Sequence, residues 1–297
     1  MRRAVTLALC CALAAGLVLL WGFSRAGEAT PAQAAPRTLL LVENDTGAYL
    51  MQLRKGLQGA VQQRGGTLSV ERLNGLGLDG LPPTPAEVDT VYLFAPRKAA
   101  DVTTALHQQG YTVMVVEQSL RGEICVLPDD LDGGRQAGEF VRELTPQGPV
   151  TVVADAGDAR QALRLEGVLS ALDDVSYTLL TPSQTGGIDA NTACLLVLDD
   201  AALATMAQRK AQGLLPGDLP LVGFGRGEAA VPLMEQGLLQ GLVADDPYAL
   251  GYMAGALLDS LRTGELKPSL HLAPQRLVTP DTLYDPENVK LMFPLLD

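Results

Sequence analysis

The chain has 297 residues, 47% of them hydrophobic, 19% charged and 4% aromatic, with a formal charge of −12. That apolar content, in repeated Val/Leu/Ala runs, excludes a disordered chain, and four cysteines in this length exclude a disulfide-stapled miniature. The negative charge argues against a nucleic-acid partner, because attraction to phosphate supplies most of such affinity.

Arg2 and Arg3 precede an apolar run from Ala4 to Phe23 broken only by Thr6, and Ser24 to Ala35 follow, rich in Ala and Pro. This is the shape of a secretory signal, with small-residue sites at Ser24-Arg25-Ala26 and Ala32-Gln33-Ala34. The run also has the length of a helix that crosses a bilayer, so an anchor through 4–23, with its short end in the cytoplasm, is the alternative. A lipoprotein reading of Cys10 fails on the bulky Leu9 before it. Residues 1–36 are therefore expected to be a signal peptide or signal anchor plus linker, and the body to be extracytoplasmic. Without Arg2, Arg3, Arg25 and Glu28, the 22 basic and 34 acidic residues become 19 and 33, a net of −14. Cys125 and Cys194 remain, each in an apolar strand-like run, and read as small buried hydrophobes, not as a disulfide.

From Arg37 onward, short β-rich runs alternate with amphipathic helical stretches, the pattern of an α/β protein with parallel sheets. Strands are predicted at 38–43, 67–73, 90–94, 112–116, 150–154, 175–180, 194–198 and 221–224. Helices are predicted at 48–64, 98–109, 134–144, 160–172, 201–211, 228–236 and 248–263. In the first helix Leu50, Leu53, Leu57 and Val61 recur every three or four residues until Gly65-Gly66. The order strand, helix, strand, strand, helix, strand appears over 38–116 and again over 150–224. It implies two doubly wound halves joined around 123–133, each burying both sheet faces. In open sheets of this kind ligands lie beyond the carboxyl ends of the strands.

Those ends carry Glu43, Asn44 and Asp45; Glu117 and Gln118; Asp155 and Asp158; Asp199 and Asp200; Gly225 and Arg226; Asp245 and Asp246. For Asp200 and Asp246 helix capping is the favoured role. Glu117 and Asp199, each ending an apolar strand, divide evenly between capping and function. Enzyme signatures are scarce. His107 and His271 are the two histidines, with no His-x-x-x-His or Cys-x-x-Cys pair to hold zinc and no Gly-x-Ser-x-Gly elbow. The Gly-Phe-Gly-Arg-Gly run at 223–227 lacks the glycine spacing of a dinucleotide fingerprint. No catalysis, metal or cofactor is expected.

Several stretches in order carry a resemblance. They are Ala-Tyr-Leu-Met-Gln-Leu-Arg-Lys-Gly-Leu at 48–57, Asp-Asp-Leu-Asp-Gly-Gly-Arg-Gln-Ala-Gly at 129–138, Arg-Leu-Glu-Gly-Val-Leu-Ser-Ala-Leu at 164–172, Leu-Asp-Asp-Ala-Ala-Leu-Ala at 198–204, Leu-Val-Gly-Phe-Gly at 221–225 and Asp-Pro-Tyr-Ala-Leu-Gly-Tyr-Met-Ala at 246–254. Together, over roughly 38–280, they resemble the type I periplasmic binding proteins, the ribose/galactose-binding branch that shares its body with LacI-type repressors. A repressor would begin with a basic helix-turn-helix, where this chain has an export segment.

The resemblance implies two lobes, 37–127 with 246–276 and 128–245 with 277–297, joined by three crossings and closing on a ligand between them. It implies an extracytoplasmic solute-binding protein, a monomer, that presents a small polar ligand to an ABC permease or a sensor kinase. The alternative is a ligand-less interaction module that keeps the fold. On the family pattern Tyr49 is the stacking aromatic, Glu117 and Gln118 replace an Asp-Arg pair, and Arg164 reaches ligand hydroxyls. Asp199-Asp200 replace Asn-Asp, Gly225 replaces the Asp of Gly-Phe-Asp, Asp245 or Asp246 replaces a late Gln, and Leu50 replaces a second aromatic. The candidate ligand residues are thus Asn44, Tyr49, Glu117, Gln118, Arg164, Asp199, Arg226 and Asp245. The surplus of carboxylates favours a sugar-like, amine-bearing ligand. Family members also place a full helix between the second and third strands of each lobe. Here 74–88 and 181–192 show no apolar stripe, so irregular links and a thinly covered sheet face are expected.

Overall fold

The computed structural model describes residues 35–43, 47–73, 88–94, 99–145 and 148–293. Within them, twelve strands form two six-stranded sheets. The first sheet contains β1 (Arg37–Val42), β2 (Thr67–Arg72), β3 (Thr90–Phe94), β4 (Thr112–Val116), β5 (Ile124–Pro128) and β11 (Ser269–Ala273), in the order β11-β5-β4-β3-β1-β2. The second contains β6 (Val150–Val153), β7 (Tyr177–Leu180), β8 (Cys194–Val197), β9 (Leu221–Gly225), β10 (Gly241–Ala244) and β12 (Arg276–Val278), in the order β12-β10-β9-β8-β6-β7. Every pairing is parallel except β10 with β12. In each sheet the order reverses beside the lobe's first strand, and that reversal opens a crevice at the carboxyl ends. The two doubly wound lobes expected from the strand–helix order are both present.

The inner strands of each sheet are buried on both faces, as continuous apolar runs require, while the edge strands β2, β7 and β11 keep exposed residues. In β1, Leu40 and Val42 join Leu53, Leu57 and Leu250 on one face, while Leu39 and Leu41 join Val102 and Leu106 on the other. The helices behind these contacts are α1 (Ala48–Gln62), α2 (Ala99–Gln108) and α7 (Pro247–Ala256). In the second lobe, α3 (Asp130–Leu144) and α4 (Ala159–Ala171) cover one face, and α5 (Asp200–Ala211), α6 (Gly227–Glu235) and α9 (Pro286–Met292) the other. Cys125 and Cys194 are free, buried, and in different sheets.

The structure departs from the predicted elements where apolar pattern is a poor guide. Helix α3 begins at Asp130, four residues before the predicted start, because Asp129 caps it by accepting from Asp132 N–H. Gly133-Gly134 inside it are not a breaker but a contact surface. A Cβ on Gly134 would lie 2.1 Å from the Arg164 carbonyl of α4, and one on Gly167 would lie 2.1 Å from the Leu131 carbonyl of α3. The predicted helix over 248–263 is two, α7 and α8 (Leu258–Arg262). Strands β5, β10, β11 and β12 are three to five residues long. Between β7 and β8 stands a single 3-10 stretch, Pro182–Gly187, with Thr185 its one buried residue. Tyr177 and Leu179 on β7 are accordingly exposed. The other expected irregular link, 74–88, lies outside the described residues except for Val88.

Candidate functional site between the two sheets

The chain passes between the sheets three times: after β5, after β10, and between β11 and β12. Each passage delivers one polar side chain to the same point. Asp130 follows the first, Asp245 lies in the second and Gln275 in the third. Gln275 Nε2 donates to Asp245 and, at 3.3 Å, to Asp130. Asp130 is 4% exposed, and a carboxylate so buried must be paired or it would not stay charged. Its partners are two arginines one helical turn apart on α4. Arg164 Nε donates to one oxygen at 2.7 Å, and Arg160 Nε to the other at 2.7 Å. The close crossing of α3 and α4 allowed by Gly134 and Gly167 is what brings these groups together.

Arg164 is consumed by the scaffold. Besides Asp130 it donates to the Leu198 carbonyl at 2.9 Å and stacks 4.4 Å above the Phe224 ring centroid. Arg160 reaches further. It donates to Asp245 at 3.1 Å, and its Nη1 lies 3.7 Å from Glu117 Oε1 at the end of β4 in the other lobe. Burial alone would lower the Arg160 pKa; Asp245 and Asp130 reverse that and hold it above the usual value.

Glu117 is the strained residue of the site. It is the one described non-glycine residue with positive φ, 67°, and its N–H donates to the Val126 carbonyl at 2.8 Å. A left-handed bulky residue is uncommon and tends to mark sites where the surroundings dictate the backbone. Burial pushes its carboxyl up to about 7; Tyr49, Arg160 and Arg226 pull it down and Asp245 pushes it up. The Tyr49 hydroxyl, buried and without a hydrogen bond of standard geometry, is raised in turn by its own burial and by Glu117 and Asp245. The Tyr49 ring stacks on Phe94 with centroids 6.2 Å apart, and Arg226 of the second lobe sits 5.5 Å from its centroid.

These groups surround a cavity of about 210 Å³ at the carboxyl ends of the strands of both sheets. Of the eight candidate residues, Tyr49, Glu117, Arg164, Asp199, Arg226 and Asp245 line it. Gln118, half-buried, does not, and Asn44 lies outside the described residues. Asp199 caps α5 by accepting from Ala202 N–H at 2.8 Å while its residue also faces the cavity. The capping expected of Asp200 therefore falls to its neighbour. Asp200 instead places Oδ1 2.7 Å from where a Cβ on Gly225 would stand, filling the space a side chain there would need. Asp246 caps α7 as expected. Neither His107, which meets Glu123 at 2.9 Å, nor His271, beside Ser269, lines the cavity.

Sequence reasoning missed Arg160, Asp130 and Gln275. Arg160 had a signal: a cation in the first turn of a helix opposes the macrodipole and needs a reason to be there. A neighbouring cavity of about 240 Å³ shares Tyr49, Arg226 and Asp245 and continues to Lys55, Tyr248 and Lys290. No group of metal-binding side chains occurs among the described residues.

Comparison with known proteins gives the class. No protein-family model and no curated protein matches the sequence. Among solved structures, a glucose-galactose binding protein, GanP, from Geobacillus stearothermophilus superposes with a TM-score of 0.67 at 16% identity, covering 85% of this chain and 100% of that one. The sugar-binding protein of a sugar ABC transporter from Bacillus halodurans gives 0.68 at 12% identity, over 84% and 99%. A chain of a XylFII–LytSN complex gives 0.69 at 15%, over 83% and 98%. The protein has the type I periplasmic binding protein fold, with the sugar-binding proteins of ABC transporters as its structural neighbours.

Proposed function

We propose that the protein is an extracytoplasmic solute-binding protein whose lobes, 37–127 with 246–276 and 128–245 with 277–297, close on a small sugar-like molecule. The observation that carries this is the cavity between the two sheets, into which one lobe brings Tyr49 and Glu117 and the other Arg160, Asp199 and Arg226. Its chemistry suits a polyhydroxylated ligand. Tyr49 offers a ring face, and its buried hydroxyl, which forms no hydrogen bond of standard geometry, can take one from a ligand oxygen. Carboxylates outnumber arginines among the lining residues, which favours a ligand bearing an amine.

Ligand contacts with both lobes stabilise the closed form by their differential affinity, and the closed form is what a membrane partner recognises, an ABC permease or the ectodomain of a sensor kinase. The solved neighbours with D-arabinose and D-allose bound supply the first compounds to try. Thermal-shift and calorimetric titration with these pentoses and hexoses, with D-glucosamine and with polyamines should find a ligand that raises Tm. Tyr49→Ala should lose that shift. A chain that responds to none of them, at any concentration up to the solubility of the compound, overturns the reading. The ionic contacts already filling the cleft favour one second reading, a ligand-less interaction module, and that outcome would select it.

A further inference from the structure

A second cavity adjoins the one between the strand ends. It holds about 240 Å³ against about 210 Å³, and Tyr49, Arg226 and Asp245 form a wall common to both. Gln52 and Lys55 of α1 and Tyr248 of α7 line it on one side, Glu228 of α6 and Glu287 and Lys290 of α9 on the other. Gln52 is buried and Tyr248 is 46% exposed. Tyr252 stacks on one face of the Tyr248 ring, with centroids 6.4 Å apart and an interplanar angle of 17°. That leaves the other face for the cavity Tyr248 lines. A ring backed in this way is a fixed platform, and such platforms supply contact area at little entropic cost.

The charges decide what else the cavity accepts. Lys55, Arg226 and Lys290 stand against Glu228, Asp245, Asp246 and Glu287. Of these carboxylates, Asp246 caps α7 and Asp245 meets Arg160 and Gln275. With or without those two the charges nearly balance, so the cavity does not select an ion. It offers donors and acceptors around a ring face, the lining that a neutral polyhydroxylated ring requires. We propose that the protein binds a disaccharide: one glycosyl unit lies in the first cavity, and a neutral second unit lies in this one, packed on Tyr248. Tyr49 and Arg226, on the common wall, serve both units at the linkage between them.

This inference rests on the sugar-binding reading and narrows it from one ring to two. Titration calorimetry on the full chain compares D-arabinose, D-allose, D-glucose and D-galactose with maltose, cellobiose, lactose and melibiose. At least one disaccharide should bind about tenfold tighter than any of the monosaccharides, the return expected from one more well-packed ring. Tyr248 does not line the first cavity. Tyr248→Ala should therefore erase the disaccharide's advantage and leave the monosaccharide Kd where it was, whereas Tyr49→Ala should weaken both. Tyr248→Leu, which keeps apolar bulk without a ring, carries the measurement if the alanine variant does not fold. A monosaccharide that binds as tightly as every disaccharide, or an equal loss for both in Tyr248→Ala, overturns the two-unit site and leaves the sugar-binding reading standing. Binding of no sugar of either length overturns both.

Discussion

The two lobes repeat one topology yet face the cleft with opposite character. The second presents ions already satisfied by one another: Arg164 is locked to Asp130, Leu198 and Phe224, and Asp199 to its helix. The first presents groups answered mainly from across the cleft: Tyr49 with Arg226 5.5 Å from its ring centroid, and the Glu117 carboxyl, held up near 7 by burial, with Arg160 at 3.7 Å. One wall is therefore a finished frame, and the other depends on partners the opposite lobe supplies. A binding site needs a frame that fixes geometry and groups free to exchange their partners for a ligand.

Breaking the frame should cost most. Asp130→Ala takes from buried Arg164 its closest carboxylate, leaving Asp245 at 3.9 Å, and unties the first crossing from the other two, so a loss of about 3–5 kcal/mol in urea unfolding is expected. Gly167→Ala comes next. Its methyl would stand 2.1 Å from the Leu131 carbonyl, so α3 and α4 must separate at a cost of about 1–3 kcal/mol, with a lower Tm and weaker pairing of Arg160.

The first-lobe wall should answer more mildly, and through pH. The folded chain holds the Glu117 proton up to about 7, whereas the unfolded chain releases it near 4.5. Between those values the folded state binds more protons, so this group's contribution to stability is present at acid pH and lost as pH rises through the window. Urea midpoints against pH should therefore slope downward there, and Glu117→Gln should remove that part of the slope. Smallest of all, Tyr49→Phe deletes a hydroxyl that forms no hydrogen bond of standard geometry. It should change stability by less than about 1 kcal/mol while lowering affinity for a sugar, a split visible by comparing Tm with titration calorimetry.

How much of this was legible in the sequence differs by level. The alternation of strands and helices read through cleanly because apolar runs such as Leu39–Val42 and Val113–Val116 are buried on both faces and leave a strong local signal. The cleft wall was legible where residues end strands, as Glu117, Asp199 and Arg226 do. It was not legible at Asp130 and Gln275, and at Arg160 only as a cation misplaced in the first turn of its helix; the three lie on separate segments and acquire meaning through one another. Gly134 and Gly167 gave no signal for the same reason. In sequence they are small residues inside predicted helices, and only the partner helix shows that they are contacts.

The sequence by itself determined the two-lobe α/β body and the acidic strand ends, because periodicity and capping act over a few neighbouring residues. Tertiary structure alone decided which charges meet. Coulombic pairing and desolvation depend on distance in space, and 115 positions separate Asp130 from Asp245 along the chain although both contact Arg160.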